Sequence, residues 1–358
     1  MSRRDNEERT GMKFISVLLS VLILIILAGY LIFKHYYNML GTASGKKPES
    51  GLSISIPEEM PDIDELADNL EKPESNGGDE DNDFLRTGYN APLFDQTDIY
   101  NVMLVGVDTR ENEFSGRSDA MILISFSKET GRIVMTSFLR DIYVDIPGNG
   151  HNRLNAAHVF GGTDLLKETI LKNFGIKIDN TIVVNFYLVK DFVDAVGGID
   201  AELTADEITH INSYVTTQAI DMGSDPDADK LPAQDGTYHL NGNQALAYSR
   251  VRYVGTDFAR TGRQRNVLAM CMDSVRSMSL KELNDLAVEF LPRIKTDMNE
   301  ADCLGFFLQL FAARGYDTTS FMIPDEGTYS FETIDSMAVI TVDFEENTKR
   351  WYNTVSDK

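Results

Sequence analysis

The stretch from Ser249 to Arg265 reads SRVRYVGTDFARTGRQR and holds Arg250, Arg252, Arg260, Arg263 and Arg265, with one acid, Asp257, among them. The chain of 358 residues has a formal net charge of −23. Arginines crowd together in so acidic a protein where something more negative, a phosphate group or a carboxylate cluster, offsets their repulsion. Three further islands pair arginine with aspartate: Asp108-Thr109-Arg110, Arg117-Ser118-Asp119 and Arg140-Asp141. Any one of them alone reads as a solvated salt bridge contributing little. Together with the arginine stretch they point to an anion gripped from two sides. Asp108 and Asp119 could share a hard cation such as Mg²⁺ or Mn²⁺, which takes a few carboxylates together with phosphate oxygens and water.

Arg250 and Arg252 are two apart, so in an extended segment they share a side about 7 Å from each other. That separation suits the two phosphates of a pyrophosphate. Thr261-Gly262-Arg263-Gln264 fits a capping box, with Thr261 as N-cap and Gln264 reaching back, and a helix starting there would add its positive end to the arginines. Asp257 stays open between general base, metal ligand and arginine partner. Arg263 and Arg265 receive no role, and surface charge accounts for them. The sequence holds no GxSxG, P-loop, HExxH or histidine cluster, which argues against a serine nucleophile and against transition-metal hydrolysis.

Strand ends position these islands. Ile99–Val107 is an apolar run of the kind expected for a buried strand, and Ala120–Ser127 and Arg132–Leu139 read as two more strands joined by a turn at Gly131. If the three run antiparallel in succession, Asp108, Asp119 and Arg140 come to one edge. Asp164–Phe174 is expected as a helix ended by Gly175, followed by a strand at 181–187, a helix at 188–196 and a strand at 199–203. A polar helix at 205–222 and a short helix at 241–248 lead to the arginine stretch. Val267–Met278 has the spacing of a core-facing helix. Helix-like (281–291, 300–314) and strand-like (319–323, 337–342) segments complete the chain. Interleaved strands and helices predict an α/β fold with a mixed central sheet sandwiched by helices.

Residues 14–33 are 20 consecutive residues without a charge, the length of a transmembrane helix. A cleaved signal peptide is the competing reading, weakened by the long apolar run and by Lys34, His35, Tyr36 and Tyr37 where small residues should stand. The expected organisation is a cytoplasmic tail at 1–13, a transmembrane helix at 14–33, an acidic flexible tether at 34–97 and an extracellular catalytic domain at 98–358. Between Glu58 and Asp83 there are 12 acids and one base, too little apolar surface for a core. Cys271 and Cys303 read as buried free thiols. Residues 84–358 carry 25 bases against 40 acids, which disfavours a nucleic-acid partner.

The segments VGVDTR, GRSDAM, SFLRDIYVDIPG, RLNAAHVFGG, VDAVGGID, LNGNQALAYSRVR and DFARTGRQR resemble, in order and over about 98–275, the LytR-CpsA-Psr family of bacterial cell-envelope proteins. The resemblance implies a ligase of the Gram-positive wall, a transferase moving a glycopolymer such as teichoic acid or capsule from an undecaprenyl-pyrophosphate carrier to peptidoglycan, at the 6-hydroxyl of N-acetylmuramic acid. It implies Mg²⁺ on Asp108 and Asp119, pyrophosphate on Arg117, Arg140, Arg250, Arg252, Arg260 and Gln264, and catalytic roles for Asp119, Arg140 and Asp257. Leu139 departs from the proline that the family commonly has before Arg-Asp, which puts the local turn in question. An apolar slot for the lipid tail is expected between the sheet and the helices at 164–174 and 267–278. Two other readings use the same residues: a polyprenyl-pyrophosphate hydrolase, and a non-catalytic anchored module that binds polyanions or lipid head groups.

Overall fold

The structure, a computed structural model, describes residues 31–42, 94–107, 118–251 and 257–356. Residues 31–37 are helical (α1) and are followed by β1 (Gly41–Thr42), β2 (Ile99–Val107), β3 (Ser118–Ser127), β4 (Arg132–Phe138), β5 (Tyr143–Ile146) and β6 (Gly150–Arg153). Next come α2 (Leu154–Phe174), β7 (Asn180–Asn185), α3 (Phe186–Ala195), β8 (Ile199–Leu203), α4 (Ala205–Asp221), β9 (Gly236–Leu240), α5 (Gly242–Arg250) and α6 (Asp257–Ser277). The C-terminal part contains α7 (Leu280–Phe290), β10 (Lys295–Thr296), α8 (Glu300–Ala312), β11 (Asp317–Ile323), β12 (Tyr329–Ile334), β13 (Met337–Val342) and α9 (Phe344–Ser356).

Among the described residues the largest sheet has seven strands in the order β1-β10-β7-β2-β3-β4-β11. It is mixed: β2 pairs antiparallel with β3 and β3 with β4, while β2–β7 and β4–β11 are parallel. Its strands read as continuous apolar runs because both faces are covered. On one face, Met103, Leu123 and Phe138 pack against α2 and α9, with Phe174 edge-on to Phe138 at 5.4 Å and Trp351 fully buried. The alternate residues face α6 and α8. There, Phe306 of α8 lies 6.2 Å from Tyr100 and 6.1 Å from Phe126, and Arg265 of α6 bonds Ser137. The mixed α/β sandwich expected from the sequence is therefore present. The two helices expected to bracket one apolar slot are not on one side: 164–174 belongs to α2 and 267–278 to α6, and strand alternation separates them by the thickness of the sheet.

A second cluster joins the β8–β9 hairpin to α3, α4, α5 and α6 through Val193, Ile211, Leu240, Val267 and Cys271. Burial pushes the thiols of Cys271 and Cys303 up to about 11 and about 12, so both are inert at neutral pH. Helix α2 ends at Gly175, left-handed at φ 66°, as its sequence requires. It begins ten residues before Asp164, through a break at Gly161-Gly162 that hides the continuous apolar face of Leu154, Ala157 and Leu166.

The segment expected as a tether at 34–97 is part of the fold at both ends. Phe33, Tyr37 and Leu40 pack beside Val102, Met298 and Cys303, Lys34 pairs with Glu300, Tyr36 donates to Asn284, and β1 pairs with β10. At the other end Phe94 stacks on Tyr352 at 4.3 Å. Aromatic side chains with an apolar partner outweigh the polar composition of the segment around them. Residues 43–93 lie outside the described residues, as do residues 1–30 and with them most of the apolar run at 14–33. No helix among the described residues is long and apolar enough to cross a membrane.

Helix α5, which leads into the arginine stretch, is held by contact with α3. The Gly242 N–H donates to Asp194 at 2.7 Å, and a Cβ on Gly242 would stand 2.1 Å from the Lys190 carbonyl oxygen. Gly242→Ala is expected to cost about 1–3 kcal/mol through this backbone collision, read as a lower midpoint in thermal unfolding, with a neutral Gly315→Ala as control because nothing stands within 4 Å there.

Candidate active site

The site lies at the end of the sheet where β2 finishes, β3 begins and β4 finishes. Val107 pairs with Ser118, so the residues just beyond this register share one edge. Asp119 follows in β3, and the Arg140 guanidinium reaches it from beyond β4, with Nη1 donating to Oδ1 at 2.7 Å. The backbone that carries Arg140 is pinned on two sides. The Leu139 N–H donates to the Ile323 carbonyl at 2.9 Å, and the Arg140 carbonyl accepts from Asn155 at 3.1 Å. Arg140 also lies 3.5 Å from Asp141, whose other oxygen is 3.4 Å from Arg153. Burial opposes the charge of Arg140, but the bond to Asp119 and the fields of Asp119, Asp141 and Asp257 outweigh it and raise its pKa above the ordinary guanidinium value.

The opposing side is the first two turns of α6. Asp257 opens the helix, where a carboxylate is favoured by the helix dipole, and Arg260 one turn on donates Nη2 to Asp257 Oδ2 at 2.9 Å. The turn is held down by Thr261, whose hydroxyl lies 3.3 Å from Met322 Sδ of β11, and by Phe258, whose ring centre is 4.9 Å from that of Tyr329 of β12, the rings tilted by 33°. At 100° per residue, Asp257, Arg260 and Gln264 fall within about 60° of one another on one helix face. Arg265 stands about 80° round the helix from Asp257, on the side toward the sheet, and its Nη1 donates to Ser137 Oγ at 2.6 Å. Burial lowers the Arg265 pKa, and its charge has no carboxylate within ion-pair reach among the described residues.

Asp119, Arg140, Asp257 and Arg260 are thus brought together from sequence positions over 100 apart. Arg250 is the last residue of α5, half-buried, and its neighbour Val251 is tied to α6 by an Arg263 bond of 3.4 Å. It is helical rather than extended, because the α5 capping box of Asn241 and Gln244 starts a helix that runs through it. The capping box expected at Thr261 is absent: the helix begins one turn earlier, Thr261 Oγ1 bonds back to the Phe258 carbonyl at 2.9 Å, and Gln264 is an interior residue. Its amide is therefore not occupied by capping. Asp108, Arg117 and Arg252 lie outside the described residues. Arg263 is buried, bonds Glu207 at 3.1 and 2.9 Å through Nε and Nη2, and stacks near Tyr248 at 5.9 Å, so it is not surface charge. The Thr204-x-x-Glu207 capping box was a readable signal of that partner's position.

The sequence matches the model of the LytR_cpsA_psr family over residues 66–353. The chain belongs to this family. Among relatives of the LytR_cpsA_psr chain, the polyisoprenyl-teichoic acid–peptidoglycan teichoic acid transferase TagT of Bacillus subtilis (strain 168) is 29% identical over 66% of this chain and 72% of that protein. The transferase TagU of Oceanobacillus iheyensis is 30% identical over 74% of each. Two solved structures share the fold at 25% identity, covering 74% of this chain and 93% of theirs: TagT bound to LIIa-WTA, with a TM-score of 0.56, and TagT with bound octaprenyl pyrophosphate lipid, with a TM-score of 0.53. Leu139 is the position at which the resemblance raises a question about the turn into Arg140. Its N–H makes the bond to Ile323 that a proline lacks, so the turn into Arg140 keeps its anchor.

Proposed function

We propose that this protein is a membrane-anchored glycopolymer–peptidoglycan transferase, which takes a teichoic acid-like or capsule-like polymer from a polyprenyl-pyrophosphate carrier, undecaprenyl in the cell, and joins it to a peptidoglycan hydroxyl. The observation that carries the reading is the Arg140–Asp119 pair facing Asp257 and Arg260 across the sheet end, in a chain of this family. The acceptor hydroxyl attacks the glycopolymer-proximal phosphorus. A P–O bond to polyprenyl phosphate breaks, a sugar phosphodiester forms, and the hydroxyl proton passes to Asp119 or Asp257. Arginine forks supply what such a transfer needs, which is positioning and neutralisation of charge on the phosphoryl oxygens. Asp119 spends one carboxylate oxygen on Arg140 and keeps the other for a hard cation, which suits Mg²⁺ with Asp108 as second ligand. When bound, the cation would draw charge from the same phosphate oxygens.

The polyprenyl tail would run down the sheet face between α6 and α8. Two cross-strand rows line that face, Leu104–Ile122–Ser137 and, next toward the Phe306 contact, Val102–Ile124–Met135. The anchor at 14–33 would hold the domain on the outer side of the cytoplasmic membrane, with residues 1–13 inside.

The test is full-length protein in vesicles with a polyprenyl-pyrophosphate-linked glycopolymer and peptidoglycan. Polyprenyl monophosphate should appear in step with polymer bound to peptidoglycan. Release of the monophosphate without peptidoglycan labelling would make the protein a hydrolase, and no turnover would make it a binding module. Arg265→Met separates binding from folding. Removing a desolvated charge and keeping the apolar length is expected to leave the thermal midpoint unchanged or higher, while the KM for the lipid-linked donor rises about tenfold.

A further inference from the structure

Helix α8 is uncharged from Cys303 to Ala312, and Leu310 lies two turns on from Cys303 along the same stripe, past the part of the helix that the sheet covers. Cys303 and Phe306 face the sheet. Phe307, Leu308 and Leu310 are 60%, 45% and 41% exposed. Three outward apolar side chains on one short helix are uncommon on a soluble surface and mark a contact. Helix α1 packs beside α8: Lys34 pairs with Glu300 at the start of α8, and Phe33 and Tyr37 share an apolar cluster with Cys303 and Phe306. Leu31 and Ile32, at the described beginning of α1, are each 59% exposed, and the apolar run 14–33 ends among these residues. The chain therefore leaves the domain toward its apolar run beside the exposed face of α8, within a segment rich in tyrosine (Tyr36, Tyr37) and carrying Lys34, residues that favour the membrane interface.

We propose that the exposed face of α8 rests in the outer leaflet of the bilayer, with α1 as the clamp that sets the domain on its side chains. The occupant is phospholipid at the boundary of head groups and acyl chains, which takes amphipathic helices at this depth. The domain then does not float on a long tether. It sits on the membrane by the end of the sheet opposite the active site, since Phe306 covers the start of β2 and Arg140 stands beyond the end of β4. The nine residues of β2 put the phosphate site about 30 Å above the leaflet. The rows between α6 and α8 run from that site down to α8, so a long polyprenyl chain could reach its pyrophosphate site while its far end stays in lipid. β1 and Phe94 are both held on the domain, so the described residues on either side of 43–93 are docked. The proposal rests on the reading of 14–33 as a membrane span.

The test uses the full chain and its single tryptophan, Trp351, which is fully buried and gives a fixed background. Leu308→Trp and Phe331→Trp each add one fluorophore; Phe331 is 69% exposed and lies on β12, near the active-site end. In nanodiscs holding one copy in phosphatidylethanolamine and phosphatidylglycerol, acyl-brominated lipid should quench about half of the added Leu308→Trp emission and leave Phe331→Trp unchanged, with aqueous iodide giving the reverse order. Equal iodide quenching of both variants, with the protein still resistant to carbonate extraction, would overturn the α8 contact and leave the anchor standing. Extraction by carbonate would instead remove the anchor and the contact together. Protection of Leu308→Trp from iodide without quenching by brominated lipid, growing when several copies share a vesicle, would assign the face to a second copy and also overturn the proposal.

Discussion

Arg140→Ala is expected to reduce glycopolymer transfer about 10³-fold, the loss typical when a preorganised charge on the reacting group is removed. Arg140 has two features that single it out from the other arginines. Its backbone is fixed by bonds to Ile323 and Asn155, so its guanidinium is placed before substrate arrives. Its charge is held by three carboxylates, Asp119, Asp141 and Asp257, which raise its pKa despite burial. A site that holds a cation this firmly keeps its geometry through the reaction and spends little on reorganisation. The drop should fall on kcat for a fixed donor. Because Asp119 is only 15% exposed and loses its partner, the melting temperature falls as well, so activity is compared at a temperature where the purified variant is still folded. Arg140→Lys should restore a minor part of the rate. An ammonium is a point charge and cannot fork between Asp119 and a phosphate oxygen. Full activity in Arg140→Ala would remove the proposed site, whatever the family.

The parts of this site that sequence made legible share one property: they depend on local geometry. Antiparallel strands joined by a short turn return to the same edge, so the spacing of Asp119 and Arg140 around Ala120–Leu139 was enough to bring them together. The arginine stretch was harder because two local rules competed there. Thr261 with Gln264 satisfies the capping pattern, but Asp257 with Arg260 supplies an earlier helix start and an ion pair, and the earlier start prevails. The spacing of Arg250 and Arg252 suggests an extended segment, but Asn241 and Gln244, a capping box of their own, begin a helix that contains Arg250. The roles of Arg263 and Arg265 were not legible at all, since their partners Glu207 and Ser137 are 56 and 128 residues away. The docked α1 was hidden for a similar reason. Its acidic surroundings argue for a tether, and only the distant cluster of Val102, Met298 and Cys303 gives its aromatic residues somewhere to go.

Arg263→Ala is expected to be the most destabilising of the arginine substitutions, by about 3–5 kcal/mol, because it leaves the partner of a buried ion pair uncompensated. Arg263 and Glu207 have side chains 8% and 17% exposed, and the pair ties α6 to the start of α4. Glu207 uses both oxygens: Oε1 receives Arg263, and Oε2 accepts from the Thr204 N–H at 3.1 Å in the capping box. Removing the arginine therefore strands a carboxylate that also starts a helix. Burial raises the Glu207 pKa, but the Thr204 bonds and the Arg263 charge outweigh it, so the net direction is down. A depressed carboxylate contributes its stability above the unfolded value, about 4.3, and loses it as pH falls through the lower folded value. The gap in denaturant midpoint between the native chain and Arg263→Ala should thus be constant near neutral pH and narrow only below about pH 4. In a double-mutant cycle with Glu207→Gln, which keeps the cap and removes the charge, the second substitution should recover part of the loss. Additive losses would mean that Arg263 acts through packing on Tyr248 and not through the pair.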